Sequence, residues 1–172
     1  VSWSRGLGDV YKRQPYYHPI MPLLMMEGWT MEDGIRVNKE AWPEDVQNHL
    51  ITGMDLFEDE LGFRPTGMWP SEEAVSPAMV QPVTDVGIEW MVTDEEILKQ
   101  STNQNGDYID VEDVTNLATP WKVTGADGGE VAVIFRDRVI SDRIAFQYGT
   151  MTPEAAVSDF IAYLDNLSLI HI

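Results

Sequence analysis

Three short apolar runs in this sequence each end on charge. Gly67-Met68-Trp69-Pro70-Ser71 stops at Glu72 and Glu73, Ile88-Glu89-Trp90-Met91-Val92 at Thr93-Asp94-Glu95, and Val131-Ala132-Val133-Ile134-Phe135 at Arg136-Asp137-Arg138. Helix-start signals follow each run: Ser76-Pro77, then Asp94 ahead of Glu95 and Glu96, then Ser141 and Asp142 near the start of a helical stretch 139–146. Apolar strands alternating with helices predict an α/β chain of parallel βα units. The run 131–135 is almost wholly apolar, so it is expected to be buried on both faces. In a parallel barrel the C-terminal strand ends share one face, and that face carries the chemistry. An open doubly wound sheet would give a similar string. However, no glycine-rich turn follows a strand, so a dinucleotide-binding version would lack its phosphate cradle.

The remaining elements fit around these strands. The clearest helix is 43–61: Pro43 suits the first helical position, and Glu44 and Asp45 suit the positive end of the dipole. Its apolar stripe is Val46, Leu50, Met54, Phe57 and Leu61, with Gly62 as the residue that ends it. Residues 15–24 are apolar, aromatic and broken by Pro15, Pro19 and Pro22, which predicts a strand end and an extended loop. Residues 27–42 and 102–116 read as loops, and 119–123 as a short strand before a turn at Gly125–Gly129. A helix is expected from Pro77 towards Val86, bent or shortened by Pro82 and ended by Gly87. A last helix begins at Thr152-Pro153, with Ala156, Phe160, Ile161 and Leu164 facing inward. Met21, Met25 and Met26 are expected to be packing residues.

The two ends do not read as protein. Asp9-Val10-Tyr11-Lys12-Arg13-Gln14 can be encoded by GAT GTG TAT AAG AGA CAG, whose reverse complement translates as Leu167-Ser168-Leu169-Ile170-His171-Ile172. Such ends resemble the translated arms of a transposon-based sequencing adaptor. Residues 1–14 and 167–172 are therefore set aside, and 15–166 is read as part of a catalytic barrel. The native start is then missing. The cytoplasm is the default location, and the true one stays open.

Composition narrows the partners. The chain carries 29 acidic and 11 basic residues, a formal net charge of −18. Phosphate backbones attract the opposite sign, so neither nucleic acid nor an anionic membrane surface is expected as a partner. No run is long and apolar enough to span a bilayer. There is no cysteine, and the histidines outside the presumed adaptor are His18 and His49. No metal site and no cofactor is expected from such a set.

Three blocks carry a family resemblance: Pro15-Tyr16-Tyr17-His18-Pro19-Ile20-Met21-Pro22-Leu23-Leu24; Gly67-Met68-Trp69-Pro70-Ser71-Glu72; and Phe135-Arg136-Asp137 with Ser141-Asp142-Arg143-Ile144-Ala145-Phe146. Trp90-Met91-Val92-Thr93-Asp94-Glu95 lies between the last two. In this order they resemble glycoside hydrolase family 57. The resemblance implies an incomplete, seven-stranded relative of the TIM barrel that works by retention on α-glucans and related α-glycosides. It implies Glu72 as the nucleophile of a Trp-x-x-Glu block. The family's acid/base aspartate, often followed by Gly-Glu, has no counterpart in this chain, nor has its His-x-His-Gln-Pro block. The chain by itself is expected to be inactive. Relatives often have glycine where Glu73 and Ala145 stand.

Each candidate also has a plainer reading. Glu72 could be an acid that merely favours a helix N-terminus, and Glu73 is a second candidate nucleophile. His18 could donate to a sugar hydroxyl or be a loop histidine satisfied by backbone. Asp94 could face substrate or cap the helix behind it. Arg136 and Asp137 could form a rim ion pair that positions the nucleophile, or a purely structural pair. Asp142 could bind sugar or be a helix-start acid. Trp69, Trp90 and Tyr17 could stack on sugar faces or lie in the core. Of these, Glu72 is taken as catalytic, and His18, Trp69, Asp94, Arg136, Asp137 and Asp142 as substrate-binding.

Three functions compete. The first is part of a retaining enzyme, hydrolase or transferase, acting on α-glucans. The second is a non-catalytic carbohydrate-binding relative that has lost its acid/base. The third is a metal-dependent polysaccharide deacetylase on a similar barrel, which would need paired histidines that this sequence does not offer.

Overall fold

A computed structural model describes residues 12–25, 29–30, 36–37 and 41–169. In chain order the elements are β1 (Lys12–Arg13), α1 (Met21–Met25), β2 (Trp29–Thr30), β3 (Arg36–Val37), α2 (Pro43–Leu61), β4 (Gly67–Met68) and α3 (Val80–Asp85). They continue with β5 (Trp90–Asp94), α4 (Glu95–Lys99), α5 (Val114–Ala118), β6 (Trp121–Thr124), β7 (Glu130–Arg136), α6 (Arg138–Asp142) and α7 (Pro153–Leu169). The fold is α/β. The main sheet has the order β1-β4-β5-β7-β6. β1 and β5 both lie parallel to β4, with Gly67 opposite Trp90 and Met68 opposite Met91.

The sheet is mixed, however. β6 and β7 form an antiparallel hairpin, with Trp121 opposite Val133 and Thr124 opposite Glu130. The five residues from Gly125 to Gly129 form too short a link for a parallel crossover. They close as a tight turn in which Gly125 N–H donates to Gly129 O at 2.8 Å and Gly128 takes φ +88°. β7 is also not buried on both faces. Val131, Val133 and Phe135 are buried while Ile134 is 39% exposed, the alternation of a half-buried strand.

Two compact units are distinguished, Val1–Thr93 with Trp121–Val133, and Asp94–Pro120 with Ile134–Ile172. The first holds a core rich in methionine. Val46, Leu50 and Met54 of α2 are buried along its stripe, together with Met21, Met68, Met79 and Met91. Each such side chain contributes about 1.5–3 kcal/mol of burial. The stripe ends early: Phe57 turns edge-on to Phe63 at 5.2 Å, and Leu61 is 56% exposed. Gly62 closes α2 at φ +82°, its N–H donating to Glu58 O at 2.7 Å.

Residues 21–25 are helical rather than extended. Pro22 stands in the first turn of α1, where a helix has no use for its missing N–H. Met21 packs in the core as expected, and Met26 lies outside the described residues. Within 27–42, β2 and β3 pair antiparallel instead of forming plain loop. Pro82 likewise falls in the first turn of α3, preceded by a one-turn 3-10 segment, Pro77–Met79.

In the second unit, α7 begins where expected, with Ala155 N–H donating to the Thr152 hydroxyl at 3.3 Å. Ile161 and Leu164 are exposed at 49% and 41%, against the inward placement expected for them. β1 and the end of α7 include residues read as adaptor. Strand pairing uses backbone groups that any sequence supplies, so it says nothing of their origin.

Candidate active site

In the first unit, β4 runs into Trp69 and Pro70. Pro70 holds an extended backbone at φ −59° and ψ 143°, and the chain then folds into a single 3-10 turn, Ser71–Glu73. Glu73 N–H donates to Pro70 O at 2.9 Å and Ala74 N–H to Ser71 O at 3.1 Å. Inside that turn Glu72 stands at φ +53° and Glu73 at φ +56°. Left-handed backbone costs a residue with a Cβ about 1–3 kcal/mol, so the surroundings must impose it. Pro70 fixes the entry, and the buried Thr93 at the end of β5 donates its hydroxyl to Glu73 O at 2.6 Å. Glu72 thus lies inside a single 3-10 turn, in left-handed backbone, and not at the start of a longer helix. Its carboxylate is lifted outward, and its side chain is 67% exposed. Ser71 is buried, and its hydroxyl has no hydrogen-bond partner among the described residues.

A second left-handed pair meets the first. Tyr17 and His18 have φ +60° and +54° in a tight turn closed by His18 N–H on Pro15 O at 3.2 Å. Tyr16 N–H ties this turn to α2 by donating to His49 O at 3.2 Å. The His18 ring reaches the glutamate: Nε2 lies 2.9 Å from Glu72 Oε1, and Nδ1 lies 2.7 Å from Gln14 Oε1. Tyr17 is 83% exposed with its ring 4.4 Å from that of Tyr16. Trp69 is half-buried.

In the second unit the ends of β5 and β7 bring their charges together. Asp94 is the N-cap of α4, accepting Glu96 N–H at 2.9 Å. Its other oxygen accepts Arg136 Nη2 at 2.8 Å and Nε at 3.1 Å, and Arg138 Nε lies 3.4 Å away. Arg136 also stands 3.8 Å from Asp142. The expected pairing of Arg136 with Asp137 does not form. Asp137 instead caps α6 through Ile140 N–H at 3.1 Å and accepts the Tyr163 hydroxyl. A carboxylate one residue before a helix has its nearest donors in that helix, not on the preceding side chain. Ser141 and Asp142, read as helix-start residues, fall at the end of α6.

Five participants carried no sequence signal strong enough to single out. Glu95 accepts Arg138 N–H at 3.2 Å, and burial pushes its carboxyl above the ordinary value. Burial and the bond to Asp137 push the Tyr163 phenol far up. Arg143 and the Tyr148 hydroxyl both meet Asp159 Oδ2 at 2.9 Å, and these bonds, Tyr148's first, hold the Asp159 carboxyl below its usual range. The Arg143 guanidinium lies 5.3 Å above the Tyr163 ring. An open cavity of about 490 Å³ is lined by Val139, Asp142, Arg143, Gln147, Met151 and Asp159. The Arg-Asp-Arg triplet at 136–138 was the one visible hint; tyrosines on a distant helix give none.

Together these features describe an α/β protein whose strand ends present carboxylates, histidine and arginine on short, strained or capped turns. The chain belongs to glycosyl hydrolase family 57, whose model matches residues 12–171. No curated protein matches it in sequence. Among solved structures it is similar to the 4-alpha-glucanotransferase of Thermococcus litoralis, with TM-score 0.51 and 22% identity over 71% of this chain and 17% of that one. It is also similar to the alpha-amylase AmyC of Thermotoga maritima, with TM-score 0.51 and 16% identity over 76% of this chain and 20% of that one. At these identities the likeness is one of fold. The chain spans about a fifth of the length of either.

Proposed function

We propose that this chain is part of a retaining α-glucan hydrolase or transferase in which Glu72 is the nucleophile. The observation that carries the reading is the position of Glu72. It directly follows a Trp-Pro-Ser strand end, in left-handed backbone, with its carboxylate exposed and hydrogen-bonded to His18. A retaining enzyme needs a rigid, ionised carboxylate facing the anomeric carbon, and a second carboxyl group about 5–5.5 Å away to protonate the leaving oxygen. Family membership and the folds of a glucanotransferase and an amylase support α-glucans as substrate. On this reading the sheet is part of an incomplete seven-stranded barrel. Residues 15–166 are its native portion, and the acid/base aspartate is not among the 172 residues. The chain alone then does not turn over amylose.

The nucleophile can be tested without the acid. A ring-fluorinated α-glucosyl fluoride carries its own good leaving group: a Glu72 oxygen bonds to the anomeric carbon, and fluoride departs with the bonding pair. The expected result is a mass gain of one glycosyl unit, mapped to Glu72 and absent in Glu72→Gln. A label elsewhere, or none, overturns the assignment.

A further inference from the structure

We propose that His18 is the positioning residue of Glu72, an inference that rests on the nucleophile reading above. A carboxylate on a flexible side chain rotates, and both of its oxygens are equivalent until something distinguishes them. Here His18 Nε2 stands 2.9 Å from Oε1 of Glu72. With Nε2–H donating, Oε1 is fixed and Oε2 is the oxygen left to attack. The attack forms the bond from Oε2 to the anomeric carbon and breaks the bond to the leaving group, which takes the electron pair. Oε1 becomes the carbonyl oxygen of the resulting ester and keeps its donor.

The backbone supports this role over an incidental contact. Both partners, and the neighbour of each, are left-handed: Tyr17 and His18 on one side, Glu72 and Glu73 on the other. Each turn is tied to a different element, the first to α2 through Tyr16 N–H and the second to β5 through the Thr93 hydroxyl. Strained backbone that persists on both sides of one side-chain contact is the pattern of a site held ready rather than of a loop left to relax. The second ring nitrogen lies against Gln14, from the segment read as adaptor, and the proposal uses only the contact to Glu72. A group held in this way acts on rate through geometry, and small misplacements of a reacting atom are costly.

The test is the rate of Glu72 labelling by the same glycosyl fluoride, followed by intact mass on the 172-residue chain. Because His18 has positive φ, His18→Gly removes the ring without adding backbone strain, so loss of folding does not confuse the result. Labelling in His18→Gly is expected to fall by about tenfold or more, and added imidazole is expected to restore part of it. His18→Gln, which still offers an N–H, should lie between the two. An undiminished rate in His18→Gly, or a loss that imidazole does not rescue, overturns the positioning role while leaving Glu72 as nucleophile. Failure of the unsubstituted chain to label at Glu72 overturns the nucleophile reading and this inference with it.

Discussion

One oxygen of Asp94 holds Arg136 and the other holds a helix: Oδ2 accepts Arg136 Nη2 at 2.8 Å, while Oδ1 caps α4 through Glu96 N–H at 2.9 Å. Asp94 is 8% exposed, so neither bond is readily replaced by water. Asp94→Ala is expected to cost about 2–4 kcal/mol, as it removes a cap and leaves a part-buried guanidinium short of its counter-charge. Asp94→Asn keeps an oxygen for the cap and should cost clearly less. Urea denaturation of the two variants measures the difference; equal losses would show that the cap contributes nothing.

Glu73 predicts an inversion of the usual order of residues. At φ +56° a side chain is strained whatever it contacts. Glu73→Gly and Glu73→Ala both delete the carboxylate, so their difference reports the backbone alone. The glycine variant should be the more stable by about 1 kcal/mol, the cost of left-handed backbone for a residue with a Cβ. Chemical denaturation reads this directly, and an alanine variant as stable as the glycine one would refute the strain.

Tyr163 predicts an alkaline limit. Burial and its bond to the Asp137 carboxylate raise the phenol above the ordinary 10.0. A raised folded value means that the stabilisation is complete below that ordinary value and is lost as pH climbs through the folded one. Tyr163→Phe keeps the burial and removes the bond, at a cost of about 1.5–3 kcal/mol near neutrality. The gap between wild type and Tyr163→Phe should therefore hold steady up to about pH 9 and narrow from about pH 10 upward. A gap that stays constant over that range counts against the contact.

Gly125 predicts a steric limit. A Cβ there would stand 2.9 Å from the Val80 Cβ, a rigid neighbour at the start of α3. Gly125→Ala should cost about 1–3 kcal/mol by overpacking. Gly149 has nothing within 4 Å of the same added atom, so Gly149→Ala serves as the control that should change little. Thermal melting of both variants decides the point.

Local patterns read correctly where a single residue sets the outcome. Pro43 and Gly62 bound α2, Asp94 starts α4, and Pro153 starts α7. Reading failed where partners distant in sequence decide. Apolar content made 131–135 look doubly buried, yet the hairpin turn at Gly125–Gly129 lays β7 against β6 with one side of Ile134 open. At the candidate site, Glu72 and His18 were both picked out, but not as partners, because nothing in the chain between them encodes their contact. Arg136 and Asp137, read as an ion pair, do not form one although they are adjacent. Consecutive residues on extended backbone point opposite ways, and each found partners on its own side.

Between α6 and the last helix the chain makes one turn of π-helix, Arg143–Gln147, closed by Tyr148 N–H on Arg143 O. In an α-helix two residues five apart stand about 140° apart around the axis. In a turn bonded from i to i+5 they come round to the same face. That wider turn is what lets Arg143 and Tyr148 reach the same oxygen of Asp159, each at 2.9 Å. The turn works as a spacer of fixed length. Rewinding the same residues as α-helix, with none removed, would set the two donors about 140° apart and no longer aimed at one acceptor.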